Sequence, residues 1–370
     1  MKKNRLANVD IIRIIAIFLV IGCHIIIPPI NQDGTIDIYR TCIAAFVGGG
    51  VGLFWLVSGF FAFNDRKYVD KIKHVAKSIL LPTFILIIFS QIFFDYIESV
   101  AGINDCIKNI SSRTFNFKSV LTGIINRNSS LIPLGQHLWY IFSYVENFLW
   151  IPLLTVLFKS KDNKAAKKII YIFGIGTMIV NLIEEFYVFK IGTINPLNLI
   201  PLSLMYMMIG HEIFLKKDFI LNNKRIRVIS FVVYILSLSL KMWLQVLTYN
   251  SNVADVFFLS WSCLPSLVEN ISLILFILSF NISSNKIISY LGRNVFGIYL
   301  VHWMIKEKII SSGRNLKLFE LFDCESKSLI SSINYTLVMI IIIFVSSIVV
   351  ITLINLFISV IRHFYIKLKK

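Results

Sequence analysis

Apolar runs about twenty residues long recur along nearly the whole chain, and that recurrence limits its fold more than any other feature. A helix needs about 20 residues to cross roughly 30 Å of hydrocarbon, so each run reads as a membrane-spanning helix. Ten segments qualify or nearly do: 11–29, 42–63, 78–97, 137–158, 169–189, 197–214, 228–247, 259–280, 291–310 and 331–358. The ninth is the weakest, because Gly292, Arg293, Asn294 and His302 interrupt it. The expected fold is an all-α polytopic membrane protein of about ten helices, with residues 1–370 forming one integral-membrane domain. No polar stretch is long enough to fold alone, so no appended soluble domain is expected.

Composition supports that class and removes others. Hydrophobic residues make up 56% of the chain and charged residues 15%, against about 25% charged in an ordinary soluble domain. The 31 Phe, 14 Tyr and 6 Trp exclude a disordered chain. A net charge of +17 in a less apolar chain would suggest nucleic acid. Here the surplus sorts by loop. Segments 1–10, 64–77, 159–168, 215–227 and 359–370 are basic, 281–290 carries only Lys286, and the intervening loops are close to balance. The positive-inside rule then places both termini in the cytoplasm. The first apolar run is too long for a cleavable signal, and no small-residue cleavage site follows it. The five cysteines form no CxxC pair, so no metal site is expected. Cys106 and Cys324 both fall in outer segments, where they could pair. The outer stretches 98–136 and 311–330 are long and polar, and suit caps over an outward cavity as well as plain connectors.

Ionisable groups at membrane depth cost several kcal/mol, roughly 2.5–3.5 by insertion scales, and mark candidate function. The first helix carries Arg13 and His24, eleven residues apart. At about 100° and 1.5 Å per residue they share one face, about 16 Å apart along the axis. Asp10, one turn before Arg13, can pair with it. Further along, Gly48-Gly49-Gly50-Val51-Gly52 allows close backbone approach. Phe54-Trp55-Leu56-Val57-Ser58-Gly59-Phe60 follows it, and Ser58 reads as a packing or substrate-contact residue. His137, Trp139 and Tyr140 open the fourth span at the outer surface, with Glu146 deeper. Arg293 lies inner and His302 outer in the ninth. The remaining buried acids are Asp95, Glu184, Glu185, Glu212 and Glu269; Glu269 is mid-helix and reads as a structurally paired group.

Two groups emerge from this topology. Arg13, Lys73, Lys77 and Arg293 gather on the inner side and suit a phosphorylated carrier. His24, His137, Trp139 and His302 gather in the outer half and suit proton transfer to a hydroxyl.

At these residues the chain resembles the acyltransferase-3 family of integral-membrane acyltransferases. Val9-Asp10-Ile11-Ile12-Arg13 with His24 resembles the family's Arg-x10-His first helix. The Phe54–Phe60 segment is similar to its FFxxSGF-like element. His137-Leu138-Trp139-Tyr140, with Pro152 downstream, resembles its HLWY/F helix, and Tyr290-Leu291-Gly292 with Tyr299-Leu300-Val301-His302 resembles its late YLG…YLxH element. The family's Arg-x-x-Arg motif before the third span is replaced here by Lys73 and Lys77. Lysine binds phosphate as a point charge and cannot fork bidentately as arginine does.

The resemblance implies acyl transfer, usually acetyl from acetyl-CoA, to a carbohydrate hydroxyl at the cell envelope. It points to Arg13 and His24 as essential. The expected donor contacts are Lys73, Lys77 and Arg293. The expected acceptor-binding or orienting residues are His137, Trp139, Tyr140, His302 and Glu146, and Asp10 and Ser58 are structural partners. No permanently bound cofactor is expected; acetyl-CoA or another acyl-CoA is the donor. Expected partners are membrane lipid, the acyl-CoA, a carbohydrate acceptor, and a second copy or glycan-synthesis proteins, but not nucleic acid. The expected location is the bacterial cytoplasmic membrane. The alternative is an exporter or flippase of the polysaccharide or its precursor. The absence of visible repeat symmetry weighs against that reading.

Overall fold

The computed structural model describes residues 6–27, 29, 35–63, 67–98, 122–126, 129, 132, 135–159, 163–187, 201–250, 261–324 and 328–368. Among these, structure is helical and no β-strand occurs. Four helical stretches are both long and apolar enough to cross a membrane: Ile38–Ala62, Tyr68–Phe89, Lys224–Leu247 and Leu329–Ile361. Leu202–Leu215 and Leu264–Leu278 are apolar but shorter. The segment 98–136 and Cys106 lie almost wholly or wholly outside the described residues, as do the side chains of Asp95, Glu184 and Glu185.

The described residues form two compact units. The first takes in 1–65, 145–292 and 324–336. It contains α1 (Ala7–Cys23), α2 (Ile38–Val47) and α3 (Gly50–Ala62). α6 (Trp139–Lys159) contributes from Val145 onward. α7 (Asn163–Tyr187), α8 (Leu202–Leu215), α9 (Lys224–Asn250) and α10 (Leu264–Leu278) complete it, with the start of α11 (Lys286–Ser311). The second unit takes in 66–144, 293–323 and 337–370. It holds α4 (Tyr68–Val75), α5 (Leu81–Glu98), the remainder of α11, α12 (Arg314–Leu321) and most of α13 (Leu329–Leu368).

Several boundaries differ from the sequence expectation for local reasons. α1 runs from Ala7 and stops at Cys23, with His24 as its C-cap, rather than continuing to residue 29. The second expected span is two helices, because the glycine pair Gly48-Gly49 breaks it. α2 is started by Asp37, whose carboxylate accepts the Arg40 N–H at 3.1 Å. The third span begins ten residues earlier than expected, at Tyr68, and passes through one π turn, Ala76–Leu80. Pro82 lies just beyond that turn and has no N–H to continue the i→i−4 ladder, so the helix widens before it.

In the first unit α3 is central and packs on α1, α8 and α10, and α9 packs along α10 and α2. Trp55, Leu53, Leu56, Ile12, Ile17 and Tyr206 are among the fully buried side chains of this core. The α3–α8 crossing is a backbone-to-backbone contact. A Cβ on Gly59 would stand 1.8 Å from the Met207 carbonyl oxygen, and one on Gly210 would stand 1.9 Å from that of Leu56. Only glycine at both positions permits this approach, which explains the glycine in the Ser58-Gly59-Phe60 segment.

Candidate active site

Within the first unit the residues of the Arg-x10-His motif lie along α1. Asp10 is buried, and Arg13 Nη1 stands 3.8 Å from its Oδ1. The Arg13 guanidinium also lies 4.9 Å from the centroid of the Phe61 ring, over its face. That side chain is 29% exposed, so it is held on one side and open on the other. His24 is half-buried at the C-terminal end of the same helix. Its backbone remains in the right-handed helical region. Ser58 is half-buried in α3, and Glu146 is half-buried in α6.

The first and last motifs of the resemblance meet here. A Cβ on Gly292 would come within 2.6 Å of the Asp10 side chain. Gly292 therefore makes the space that the Asp10 carboxylate occupies.

The same unit holds a pair of charges in its core. Lys241 on α9 and Glu269 on α10 form a salt bridge in which the lysine side chain is fully buried and the carboxylate 3% exposed. Oε1 of Glu269 faces Gly49, where an added Cβ would lie 3.1 Å away. Gln245 and Asn270 are buried on the same two helices. The expectation of a structural partner for Glu269 holds. Lys241 escaped the sequence reading, although a lysine inside the apolar run 228–247 carries the same signal as any charge at membrane depth. Arg40 lies in the first turn of α2. It is buried, ion-paired to Asp37 at 3.2 Å, and donates to the Cys324 carbonyl at 2.7 Å.

In the second unit the HLWY and YLxH motifs come together. His137 and His302 are both buried, with ring centroids 5.1 Å apart. His137 is thus a core residue of this unit. His137 Nε2–H donates to the Leu300 carbonyl at 3.2 Å. The Tyr299 hydroxyl donates back to the His137 carbonyl. His302 Nδ1–H donates to the Tyr299 carbonyl at 2.6 Å. A carbonyl oxygen only accepts, so Nδ1 is the protonated nitrogen of His302, and in the neutral ring Nε2 carries the lone pair.

Trp303 stacks on His137 at 5.7 Å and 8°, and Lys306 Nζ lies 3.5 Å from the Trp303 ring centroid. Tyr140 makes an edge contact with Tyr299 at 5.7 Å. Trp139 is half-buried beside Tyr140. Trp303 and Lys306 are additions that the motif reading stopped short of, one and four residues beyond His302.

The three expected donor contacts are exposed cations of this second unit. Lys73 sits in α4, Lys77 in the π turn and Arg293 in α11. Among the described residues no group of three or more His, Cys, Asp or Glu is placed to hold a metal.

A family model described as an acyltransferase domain matches residues 6–356. No curated protein and no solved structure matches the chain. The matched span runs from the start of α1 into α13 and takes in all four motifs. The chain belongs to the acyltransferase-3 family and is a membrane acyltransferase.

Proposed function

We propose that the chain is an O-acyltransferase that moves acetyl from acetyl-CoA to a hydroxyl of a bacterial cell-surface polysaccharide or its lipid-linked precursor. It does so in the cytoplasmic membrane as a ten-helix protein with both termini inside. The observation that carries the reading is the family match across 6–356. The placement of polar side chains supports the finer roles. Arg13, Lys73, Lys77 and Arg293 present accessible cations suited to the phosphates of CoA. His24 and the buried His137–His302 pair supply imidazoles suited to proton transfer.

In the proposed reaction the acceptor oxygen attacks the thioester carbonyl carbon while His24 takes the hydroxyl proton. The C–S bond breaks, and the departing CoA sulfur receives that proton. In the variant route His24 itself accepts the acyl group before passing it on. His302 and His137 orient the acceptor, Trp139 and Tyr140 offer faces for a sugar ring, and Glu146 accepts a sugar hydroxyl. Asp10 holds Arg13, and Ser58 lines the α3 face.

The test uses membranes carrying the full chain and acetyl-labelled CoA. Label is expected to reach glycan with the native chain and not with His24→Ala inserted at the same level. Unchanged surface O-acetyl content in His24→Ala removes His24 from the chemistry. A deletion strain that lacks the glycan altogether, with no label transfer by the native chain, replaces the enzyme reading with export.

A further inference from the structure

α7 and α8 leave an open groove between them of about 800 Å³. Its wall on α7 holds a stripe flanked by Lys167, Tyr171 and Gly176. Lys164, Lys168, Ile172, Ile175 and Ile179 are all lining residues. At 100° per residue they fall within about 80° of one helical face. The stripe is charged at one end and apolar along the rest. Lys216, just beyond the end of α8, adds a further cation at the charged end. A salt bridge between two of the lining residues, Lys167 and Glu212, ties α7 to α8. With Glu212 engaged by Lys167, three lysines remain to set the sign of the charged end.

The apolar part is exposed: Ile172 is 58%, Ile175 39% and Ile179 42% accessible. From Lys168 to Ile179 is eleven residues, about 16 Å at 1.5 Å per residue. That is about half of the roughly 30 Å hydrocarbon thickness, the depth of one leaflet. A soluble anion would meet the lysines and leave the isoleucines bare. An acyl chain alone would cover the isoleucines and leave three ammonium groups without a counter-charge.

We infer that this groove is a binding site for one anionic phospholipid, its phosphate against Lys164, Lys168 and Lys216 and one acyl chain along Ile172, Ile175 and Ile179. The site is distinct from the Arg13–His24 and His137–His302 groups and does not depend on the proposed reaction. A basic residue near an anionic lipid contributes about fivefold to binding. Loss of all three lysines should therefore weaken binding on the order of 100-fold.

The test uses the purified full-length protein in detergent micelles. It is titrated with phosphatidylglycerol, and with phosphatidylcholine of the same chains, and bound lipid is counted by native mass spectrometry. One phosphatidylglycerol should be retained in preference to phosphatidylcholine. The variant Lys164→Gln/Lys168→Gln/Lys216→Gln should lose that preference. Lys224→Gln/Arg225→Gln removes two exposed cations elsewhere and should keep it. Equal retention of the two lipids by the native chain overturns the inference. So does a shift of less than threefold in the triple variant, or equal loss in the Lys224/Arg225 control. Competition of bound phosphatidylglycerol by free CoA or inorganic phosphate at equal concentration would make the groove a soluble-phosphate site and likewise overturns it.

Discussion

Removing Lys241 should expose how the first unit treats charge in its core. The lysine is fully buried and Glu269 nearly so, so solvent screens neither. For an exposed pair the loss would be under about 1 kcal/mol. For this one, Lys241→Met leaves a carboxylate in the apolar core. Gly49 faces its oxygen and has no side chain to answer it. The expected cost is about 3–5 kcal/mol, and Glu269→Met should cost a similar amount by stranding the ammonium. The double variant Lys241→Met/Glu269→Met removes both charges with little change in volume. It should lie within about 1–2 kcal/mol of the native chain, or above it. The assay is SDS-induced unfolding of the purified protein in mixed micelles, followed by circular dichroism and fitted as a double-mutant cycle. The reasoning is refuted if either single variant costs under about 1 kcal/mol, or if the two costs simply add in the double.

The other expectations concern close contacts and the second unit. Gly210→Ala places a methyl 1.9 Å from the Leu56 carbonyl oxygen, against backbone that cannot yield cheaply. It should destabilise by about 3 kcal/mol or more in the same unfolding assay. Gly292→Ala pushes on Asp10 at 2.6 Å. It should cost about 1–3 kcal/mol, and Asp10→Ala in the same chain should recover part of that loss. Tyr299→Phe removes the hydroxyl that donates to the buried His137 carbonyl. It should lower stability by about 1–3 kcal/mol and leave the far-ultraviolet spectrum unchanged.

How far the sequence reaches depends on what each residue's signal was. The meeting of His137 with His302 could be read from motifs because each sits at a fixed offset in one, His302 on α11 and His137 in the short turn that leads into α6. The Asp10–Arg13 pair followed from a one-turn spacing on a single helix. Contacts that depend on which helices become neighbours left no local trace. Nothing around Gly292 says that its missing side chain makes room for Asp10. Glu269 drew notice as a lone charge, but its partner Lys241 lies on a separate helix. Span lengths were misjudged where backbone chemistry overrides hydropathy. The stop of α1 at Cys23 and the break at Gly48-Gly49 occur inside runs that remain apolar.

The long-range ties of α1 carry a consequence for biogenesis. Asn8 donates to the Ile277 carbonyl, 269 positions away, and to that of Phe280. Asp10 seats against Gly292. At roughly 5–20 residues per second Ile277 and Phe280 emerge from the ribosome about 13–54 s after Asn8. For that interval the first helix sits in the insertion machinery or the bilayer with Asn8 lacking the two carbonyls it donates to in the finished protein. The chain therefore has a built-in waiting period. A nascent chain arrested before residue 277 should leave α1 extractable or accessible to a protease, and one arrested after 292 should not.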